Sequence, residues 1–291
     1  MGLRCFPARL LAVCIATAAS GPAFAAEGRC GPYKVGLKEY PQVYAQRPKT
    51  ADPAVDAVGL DSDFFALLAA RSGCVFQYEL ESQPRVWARM HEGTLDITSW
   101  VIPTEERRQA AVLIPILTVR PLAYVWKSAN ASTREAFLAK SDLRAIAVKG
   151  TSYGQGYDSS LEALTAKRVS WVADVDTAVR VFLAHRVDLI VTYPWVMVRH
   201  LPTMRGRIEV ADWYADGPTT SSGLALSKRN VSPQDQARLL EALKSMSADG
   251  TFKRLVDKYL PDGGIGFIEP IRLLGVSGAE SAPLAADAPK R

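Results

Sequence analysis

Residues 93–108, GTLDITSWVIPTEERR, carry the side chains of this chain that are best suited to binding chemistry. A helical run ends there, a short strand with hydroxyl residues follows, and the next turn carries Arg107. Thr98, Ser99 and this guanidinium suit the capture of a carboxylate, because the rigid fork of arginine donors matches two carboxylate oxygens. In an open α/β sheet, ligands bind outside the carboxyl ends of the strands. The alternative interpretation is a surface charge run that caps a helix.

The elements that would position these side chains alternate along the chain. Predicted strands cover residues 34–37, 75–80, 95–98, 146–148, 169–172 and 187–192. Predicted helices cover residues 85–91, 161–166, 176–185, 232–246 and 251–259. A further helix has Asp61 as its predicted N-cap and ends at Gly73 in a left-handed cap. The alternation indicates an α/β protein, in which helices cover parallel sheets.

Two segments, VWARMHEGTLDIT and VRVFLAHRVDLIVT, resemble each other. Each reads as a helix, a polar turn, and an apolar-Asp-apolar entry into a strand. The similarity is short, but it favours two similar α/β lobes.

The first 25 residues have the features of a signal peptide. Arg4 and Arg9 supply a positive region, and the apolar run at residues 10–19 is shorter than the ~20 residues that span a bilayer. Small residues at Ala23 and Ala25 fit a cleavage site. A lipoprotein is the competing interpretation, since Cys14 follows an apolar run, but the bulky Val13 argues against it. We expect a soluble, exported protein with a periplasmic location.

Charge and histidine content argue against two classes of function. The formal net charge is +5, and signal-peptide cleavage would remove two of the arginines behind it. This excess is too small to indicate nucleic-acid binding, and no basic stripe alternates with aromatic residues. The three histidines have no metal-ligand spacing, and we expect no metal and no cofactor.

Two cysteines, Cys30 and Cys74, remain after cleavage of the signal peptide. In an oxidising compartment, an even pair suggests one disulfide. Each cysteine precedes a predicted strand, and if those strands are parallel neighbours, their starts lie close enough for a bridge. The alternative is two free, buried thiols.

An ordered set of short motifs extends over residues 31–265. It comprises Glu39-Tyr40-Pro41, Gly59-Leu60-Asp61, Gly93-Thr94-Leu95-Asp96, Thr104-Glu105-Glu106-Arg107, Gly150-Thr151-Ser152, Val187-Asp188, Asp249-Gly250-Thr251 and Lys258-Tyr259. With these motifs the chain resembles the bacterial extracellular solute-binding proteins of family 3, periplasmic receptors often paired with amino-acid ABC importers.

The resemblance implies the two-lobed periplasmic-binding-protein fold of type II, with a mostly parallel sheet flanked by helices in each lobe. Two crossover strands would form a hinge that closes on a ligand. Lobe one would comprise residues 31–124 plus 223–270, and lobe two residues 125–222. Residues 271–291, rich in small residues, would form a flexible tail.

The resemblance also implies a carboxylate site. Ser99 and Arg107 would contribute from lobe one, and Thr151 and Ser152 from lobe two, beside a helix N-terminus that favours anions. Receptors for α-amino acids place an acidic residue for the ligand ammonium at the position of Tyr193. A phenol has a reference pKa of about 10 and cannot supply that charge at neutral pH.

Aromatic residues at predicted strand ends and loops could sandwich the ligand body, with Tyr40, Trp100 and Tyr193 as the candidates. Their alternative role is ordinary core or hinge packing.

The sequence thus favours a monomeric receptor that has no catalytic residues and delivers a small carboxylate solute to an ABC permease. One alternative is a sensory or accessory domain that acts through a separate membrane or enzyme partner. A less favoured one is an enzyme similar to the periplasmic cyclohexadienyl dehydratases, which need a general acid near position 193.

Overall fold

The computed structural model describes residues 29–40, 43, 45–46, 57–217 and 220–260. The predicted signal peptide (residues 1–25), the predicted tail (residues 271–291) and residues 261–270 of the predicted lobe one lie outside the described residues. Within the described ranges, no helix combines the length and the apolar character that a membrane crossing requires.

The described strands and helices alternate as predicted. The strands are β1 (Tyr33–Leu37), β2 (Ala45–Gln46), β3 (Ala57–Val58), β4 (Phe76–Leu80), β5 (Ile97–Val101), β6 (Ala111–Val119), β7 (Leu122–Trp126), β8 (Ala145–Val148), β9 (Val169–Val172), β10 (Leu189–Thr192), β11 (Ile208–Ala211) and β12 (Thr220–Ser227). The α-helices are α1 (Leu60–Ser72), α2 (Gln83–Glu92), α3 (Glu105–Ala110), α4 (Arg134–Ala139), α5 (Gln155–Glu162), α6 (Val175–Leu183), α7 (Pro194–Met197), α8 (Leu201–Met204), α9 (Pro233–Ala248) and α10 (Thr251–Tyr259).

Two sheets divide these strands between two lobes. The first sheet has the order β4-β1-β5-β12-β6, and the second has the order β11-β7-β10-β8-β9. Helices flank both sheets, and the α/β class and the two-lobed architecture are confirmed.

Each sheet is mixed, whereas the prediction was mostly parallel. β1 is parallel to β4 and β5, but β12 runs antiparallel to β5 and β6. In the second sheet, β7 is antiparallel to both β10 and β11. The antiparallel pairs arise because the chain leaves one sheet through β6, enters the other through β7, and returns through β12.

The chain passes between the sheets twice, from the end of β6 at Val119 to the start of β7 at Leu122, and from the end of β11 at Ala211 to the start of β12 at Thr220. The predicted lobe boundaries, after residues 124 and 222, fall within β7 and β12, a few residues from these connections. The assignment of residues to lobes at those boundaries stays a prediction.

The helix α1 supports the sheet edge that carries the candidate site. It buries Phe64, Phe65 and Leu68, which the helical repeat places on one face, and it ends at Gly73 with φ 68°. Its N-cap is Gly59, and the prediction of Asp61 as N-cap is wrong. Asp61 lies in the first turn instead, because its carboxylate turns inward to hydrogen-bond β5.

The Cys30–Cys74 disulfide is confirmed, with Cα atoms 4.4 Å apart. The reason is the one the sequence suggested: β1 and β4 are parallel neighbours, with Tyr33 opposite Phe76. The bridge links positions 44 residues apart. In the chain-entropy model, closing such a loop stabilises by about 4 kcal/mol.

Candidate functional site

A cavity of about 70 Å³ lies between the lobes, at the carboxyl ends of β1 and β5. Since one water needs about 10–15 Å³, the cavity has room for several water molecules. It brings together six of the eight sequence-predicted ligand residues: Tyr40, Trp100, Arg107, Thr151, Ser152 and Tyr193. Lys38 and Asp61 also line it, although the sequence analysis did not assign them to the site.

Arg107 is held rigidly at this cavity. Thr104 caps α3 by accepting a hydrogen bond from the Arg107 backbone N–H at 3.2 Å, and the side chain is turned into the protein, with the residue 6 % exposed. Its Nη1 donates to Ile102 O at 2.7 Å, and its guanidinium lies over the Trp87 ring at 4.7 Å. Both contacts come from its own lobe and fix its orientation.

Arg107 also links the lobes, because its Nη2 donates to Gly150 O at 2.7 Å across the cavity. Among the described residues, no carboxylate lies within 4.0 Å of it. Burial lowers the pKa of Arg107, but an arginine stays protonated in proteins. The site therefore holds a buried positive charge whose direct contacts are two backbone carbonyls and the Trp87 ring, with the carboxylates of Asp158 and Glu106 farther away.

Thr98 and Ser99 are not among the residues that line the cavity. The Thr98 hydroxyl donates to Gly36 O at 2.8 Å and accepts from Lys38 Nζ at 3.1 Å. The Ser99 hydroxyl donates to Asp61 Oδ1 at 2.7 Å. Both hydroxyls thus position charged groups of the cavity wall. Their direct contact with a ligand stays a prediction, as it does for the other six residues.

Asp61 is a buried acid, 1 % exposed, on the lobe-one side of the cavity. Burial raises its pKa to about 6, while the Ser99 hydrogen bond, the charge of Lys38 and the Trp100 indole N–H lower it. Its Oδ1 accepts from Ser99 and Trp100, and its Oδ2 has no hydrogen-bond partner among the described residues. A buried carboxylate oxygen without a donor is costly, so this atom is available to a ligand donor or a proton.

Lys38 follows β1 directly and points along the same wall. Its Nζ donates to Thr98 Oγ1 at 3.1 Å and to Ser99 O at 2.7 Å. Burial lowers the pKa of Lys38 to about 8; Asp61 opposes this shift, and Arg107 adds to it.

Trp100 occupies a strained conformation at the end of β5. Its φ of 54° lies in the left-handed region, which residues with bulky side chains seldom adopt. The turn directs its indole N–H to Asp61, and its ring packs against Phe64 and Phe252 at 5.3 and 6.4 Å between centroids. Such strain persists only where neighbouring contacts enforce it, and it occurs preferentially at functional sites.

The lobe-two side supplies Thr151 and Ser152, ahead of α5. Helix α5 begins after Gly154, several residues earlier than the predicted helix at residues 161–166. Asp158 accepts hydrogen bonds from the Ser152 hydroxyl and from the Tyr153 backbone N–H at its start, so a protein carboxylate already occupies part of this N-terminus. The Thr151 hydroxyl has no hydrogen bond among the described residues and remains free for a ligand.

Tyr193 closes the cavity from lobe two. Its ring stacks on Trp195 at 4.7 Å between centroids, and its hydroxyl donates to Ser152 O at 3.4 Å. Burial raises the pKa of this phenol well above its usual value, so it is neutral at neutral pH. It therefore cannot supply the negative charge that a ligand ammonium needs, in agreement with the sequence argument.

The sequence contains a signal for Lys38 and Asp61, the two charged cavity residues that are absent from the predicted site. Lys38 directly follows the first strand, at the edge where ligands of α/β sheets bind, and Asp61 belongs to the Gly59-Leu60-Asp61 motif.

For metals, the described ranges contain no group of three or more His, Cys, Asp or Glu residues that could hold an ion.

A sequence profile of the bacterial extracellular solute-binding proteins, family 3, matches residues 39–262. No curated protein sequence matches the chain.

Similar solved structures include an ancestral arginine-binding protein bound to arginine (19 % identity, TM-score 0.63, covering 79 % of this chain and 99 % of that one). The arginine-, lysine- and histidine-binding protein ArtJ from Geobacillus stearothermophilus is similar at 16 % identity and TM-score 0.64, covering 79 % and 95 %. The ancestral amino-acid-binding protein AncCDT-1, a precursor of cyclohexadienyl dehydratase, is similar at 20 % identity and TM-score 0.63, covering 78 % and 94 %. At these identities the likeness establishes the fold.

Proposed function

Since this chain belongs to the bacterial extracellular solute-binding proteins of family 3, we propose that it is a periplasmic receptor for a small carboxylate solute. The solute is an amino acid or a related organic acid, captured between the two lobes and presented to the permease of an ABC importer. The receptor acts as a monomer and needs no cofactor.

The observation that carries this proposal is the buried guanidinium of Arg107 between the lobes. It faces a cavity, has no carboxylate partner within the described ranges, and donates to one carbonyl on each side, Ile102 O and Gly150 O. A ligand carboxylate can replace the Gly150 carbonyl and accept a charge-assisted hydrogen bond, which is roughly twice as strong as a neutral one. The free Thr151 hydroxyl can donate to the same group.

The printed descriptions of the similar structures support an amino acid or a close analogue as the solute. The ancestral arginine-binding protein binds arginine, and ArtJ binds arginine, lysine and histidine. All three ligands carry an α-carboxylate, the group for which Arg107 is suited.

The test of this proposal is ligand-induced thermal stabilisation. The exported protein and two variants, Arg107→Gln and Arg108→Gln, are screened against amino acids, keto acids, dicarboxylates and aromatic acids. A ligand at 100 times its dissociation constant adds about 2.7 kcal/mol to the free energy of unfolding, which raises the melting temperature of a chain of this size by roughly 5 °C or more.

We expect the shift to disappear in Arg107→Gln and to persist in Arg108→Gln, because Arg108 is the exposed neighbour on the same helix. No shift with any carboxylate, or an equal shift in both variants, would contradict the proposal. Without ligand, the two variants should both remain folded, as near-ultraviolet circular dichroism would report.

One observation favours the enzyme alternative. Asp61, whose pKa burial raises to about 6, is a carboxyl group at the cavity that can hold a proton near neutral pH, as a general acid must. AncCDT-1 is described as the precursor of a dehydratase. Sustained turnover of prephenate or arogenate by the purified protein, lost in Asp61→Asn, would establish this function. The sensory or accessory alternative predicts ligand binding without uptake through a permease.

A further inference from the structure

Lys38 is a second cation at the cavity, and no acidic side chain forms an ion pair with it within 4.0 Å among the described residues. Two of its three ammonium donors are used, on Thr98 Oγ1 and Ser99 O. These two contacts come from one strand, β5, and leave one N–H for a further acceptor. A partly buried ammonium with a spare donor, lining a cavity, is arranged to receive an anion.

The charges that line the cavity do not balance. Lys38 and Arg107 contribute two positive charges, and Asp61 is the acidic residue among the lining residues described. The nearby Glu81 is already paired with Arg85 and Arg89, and Glu39 is exposed and does not line the cavity. A neutral amino acid, with its carboxylate on Arg107 and its ammonium on Asp61, would leave Lys38 without a counter-charge.

We propose that Lys38 binds a second carboxylate of the solute, so that this receptor selects a small dicarboxylic acid, with an acidic amino acid as the best match. This inference rests on the proposed function, because it assigns the first carboxylate to Arg107. An acidic amino acid has two negative charges and one positive charge. These match Arg107, Lys38 and the unpartnered Oδ2 of Asp61 in sign and number.

Asp61 thereby takes the role that Tyr193 cannot fill. The ammonium of the solute would be neutralised from lobe one, beside Ser99 and Trp100, instead of from lobe two. Thr98 and Ser99 are then positioning residues. Thr98 fixes the Lys38 ammonium, and Ser99 fixes both the Lys38 ammonium and the Asp61 carboxylate.

The test compares ligands that differ by one charge at nearly constant shape. Calorimetric titration of the exported protein with glutamate and glutamine, and with aspartate and asparagine, gives the preference for acid over amide. Titration with succinate and glutarate, which lack the amino group, measures the contribution of the ammonium. We expect a preference of roughly tenfold or more for the acid of at least one pair, the size of one charge-assisted hydrogen bond.

In Lys38→Met this preference should fall to less than about threefold, with the affinity for the amide nearly unchanged. Lys34→Met is the matched control, because Lys34 lies in the same strand, is exposed and is not among the residues that line the cavity. Lys38→Gln keeps hydrogen-bonding capacity and serves if Lys38→Met does not fold. If Lys38 only joins β1 to β5, its replacement should instead lower thermal stability and reduce the affinities for acid and amide equally.

A second readout needs no variant. The pKa of free Lys38 is about 8, and a bound carboxylate would raise it, so binding of the acid at pH 8 should take up as much as about half a proton. Binding of the amide should take up no protons beyond those that both ligands take up in common. Titrations in buffers of different ionisation enthalpy measure this difference.

The outcomes separate this inference from the proposed function. Equal affinity for acid and amide, or an acid preference that survives Lys38→Met and Lys38→Gln, overturns the role of Lys38 even if Arg107 proves essential. Binding of no carboxylate at all overturns both. Equal affinity for glutamate and glutarate, or for aspartate and succinate, would show that the protein does not recognise an ammonium group. The solute would then be a plain dicarboxylate.

Discussion

At the scale of single residues, the site is defined by charges that are buried before a ligand arrives. Lys38, Asp61 and Arg107 each lie at the cavity wall, and each is held by neutral donors or carbonyls in place of a full ion pair. Such an arrangement costs folding free energy, because buried charges lose their hydration. Under the proposed function, part of this free energy is regained on binding, since the ligand would provide the missing partners.

Asp61 makes this cost measurable through pH. Its pKa is about 6 in the folded protein against 3.8 in the unfolded chain, so the folded state holds the proton more tightly. The free energy of unfolding therefore falls as pH rises from about 4 to 6, and the loss is complete above pH 6. We expect Asp61→Asn to remove this slope and to be more stable than the native protein at pH 7 by roughly 1–3 kcal/mol.

Urea unfolding at several pH values between about 3 and 7 measures this difference. Asp63→Asn provides a control of opposite sign, because hydrogen bonding to Lys258 lowers the pKa of Asp63. Above its unfolded pKa, the ionised and partly exposed Asp63 stabilises the folded state. This contribution is lost as pH falls. A stability difference for Asp61→Asn that does not change with pH would refute the burial argument.

At the scale of elements, the antiparallel pair β6 and β12 joins the first sheet to the crossover. β12 carries a bulge between Ser222 and Gly223, and Ser222 lines the cavity. A β-carbon at Gly223 would lie 1.9 Å from Ile114 O, so only glycine allows the two backbones this approach. The strand by which the chain returns to the first sheet thus also helps to shape the wall of the site.

We expect Gly223→Ala to lower the free energy of unfolding by about 1–3 kcal/mol, because the added methyl group must push β12 away from β6. Chemical denaturation measures the loss. Ser221→Ala, two positions earlier and less buried, is the comparison and should change stability by less than about 0.5 kcal/mol. An unchanged denaturation midpoint for Gly223→Ala would mean that the strand pair tolerates the shift.

At the scale of the whole molecule, the lobes meet across the cavity through Arg107 and Gly150. This contact couples the guanidinium that we propose as the carboxylate site to the distance between the lobes. A carboxylate that binds Arg107 and Thr151 together would contact both lobes and favour the closed arrangement. Binding and closure are then one equilibrium, as a population shift requires.

Small-angle X-ray scattering can test this coupling. We expect the radius of gyration to decrease when a ligand that raises the melting temperature is added to the native protein. Arg107→Gln should show no decrease, because it lacks the link between ligand and closure. An unchanged radius in the native protein, despite thermal stabilisation, would show that the site is already closed without ligand.

Much of the fold follows from local patterns in the sequence. The helix α10 and the strand β9 have the predicted bounds, because each is a short periodic segment between clear stop signals. The end of α1 at Gly73 follows from the conformational freedom of glycine. The helix α5 was misplaced, because its start depends on Asp158 folding back onto the Tyr153 N–H, a contact that periodicity does not reveal.

The sequence by itself determined the α/β class, the two lobes, the disulfide and Arg107 as a cavity residue, because hydrophobic periodicity, cysteine number and motif order are properties of the chain alone. Only the tertiary structure decided which polar groups meet. Lys38 reaches Thr98 and Ser99, about 60 residues away, and Asp61 reaches Ser99 and Trp100. These contacts depend on β1 lying beside β5 and on α1 packing against the end of β5. A polar side chain selects its partner by proximity and desolvation, which no local pattern encodes.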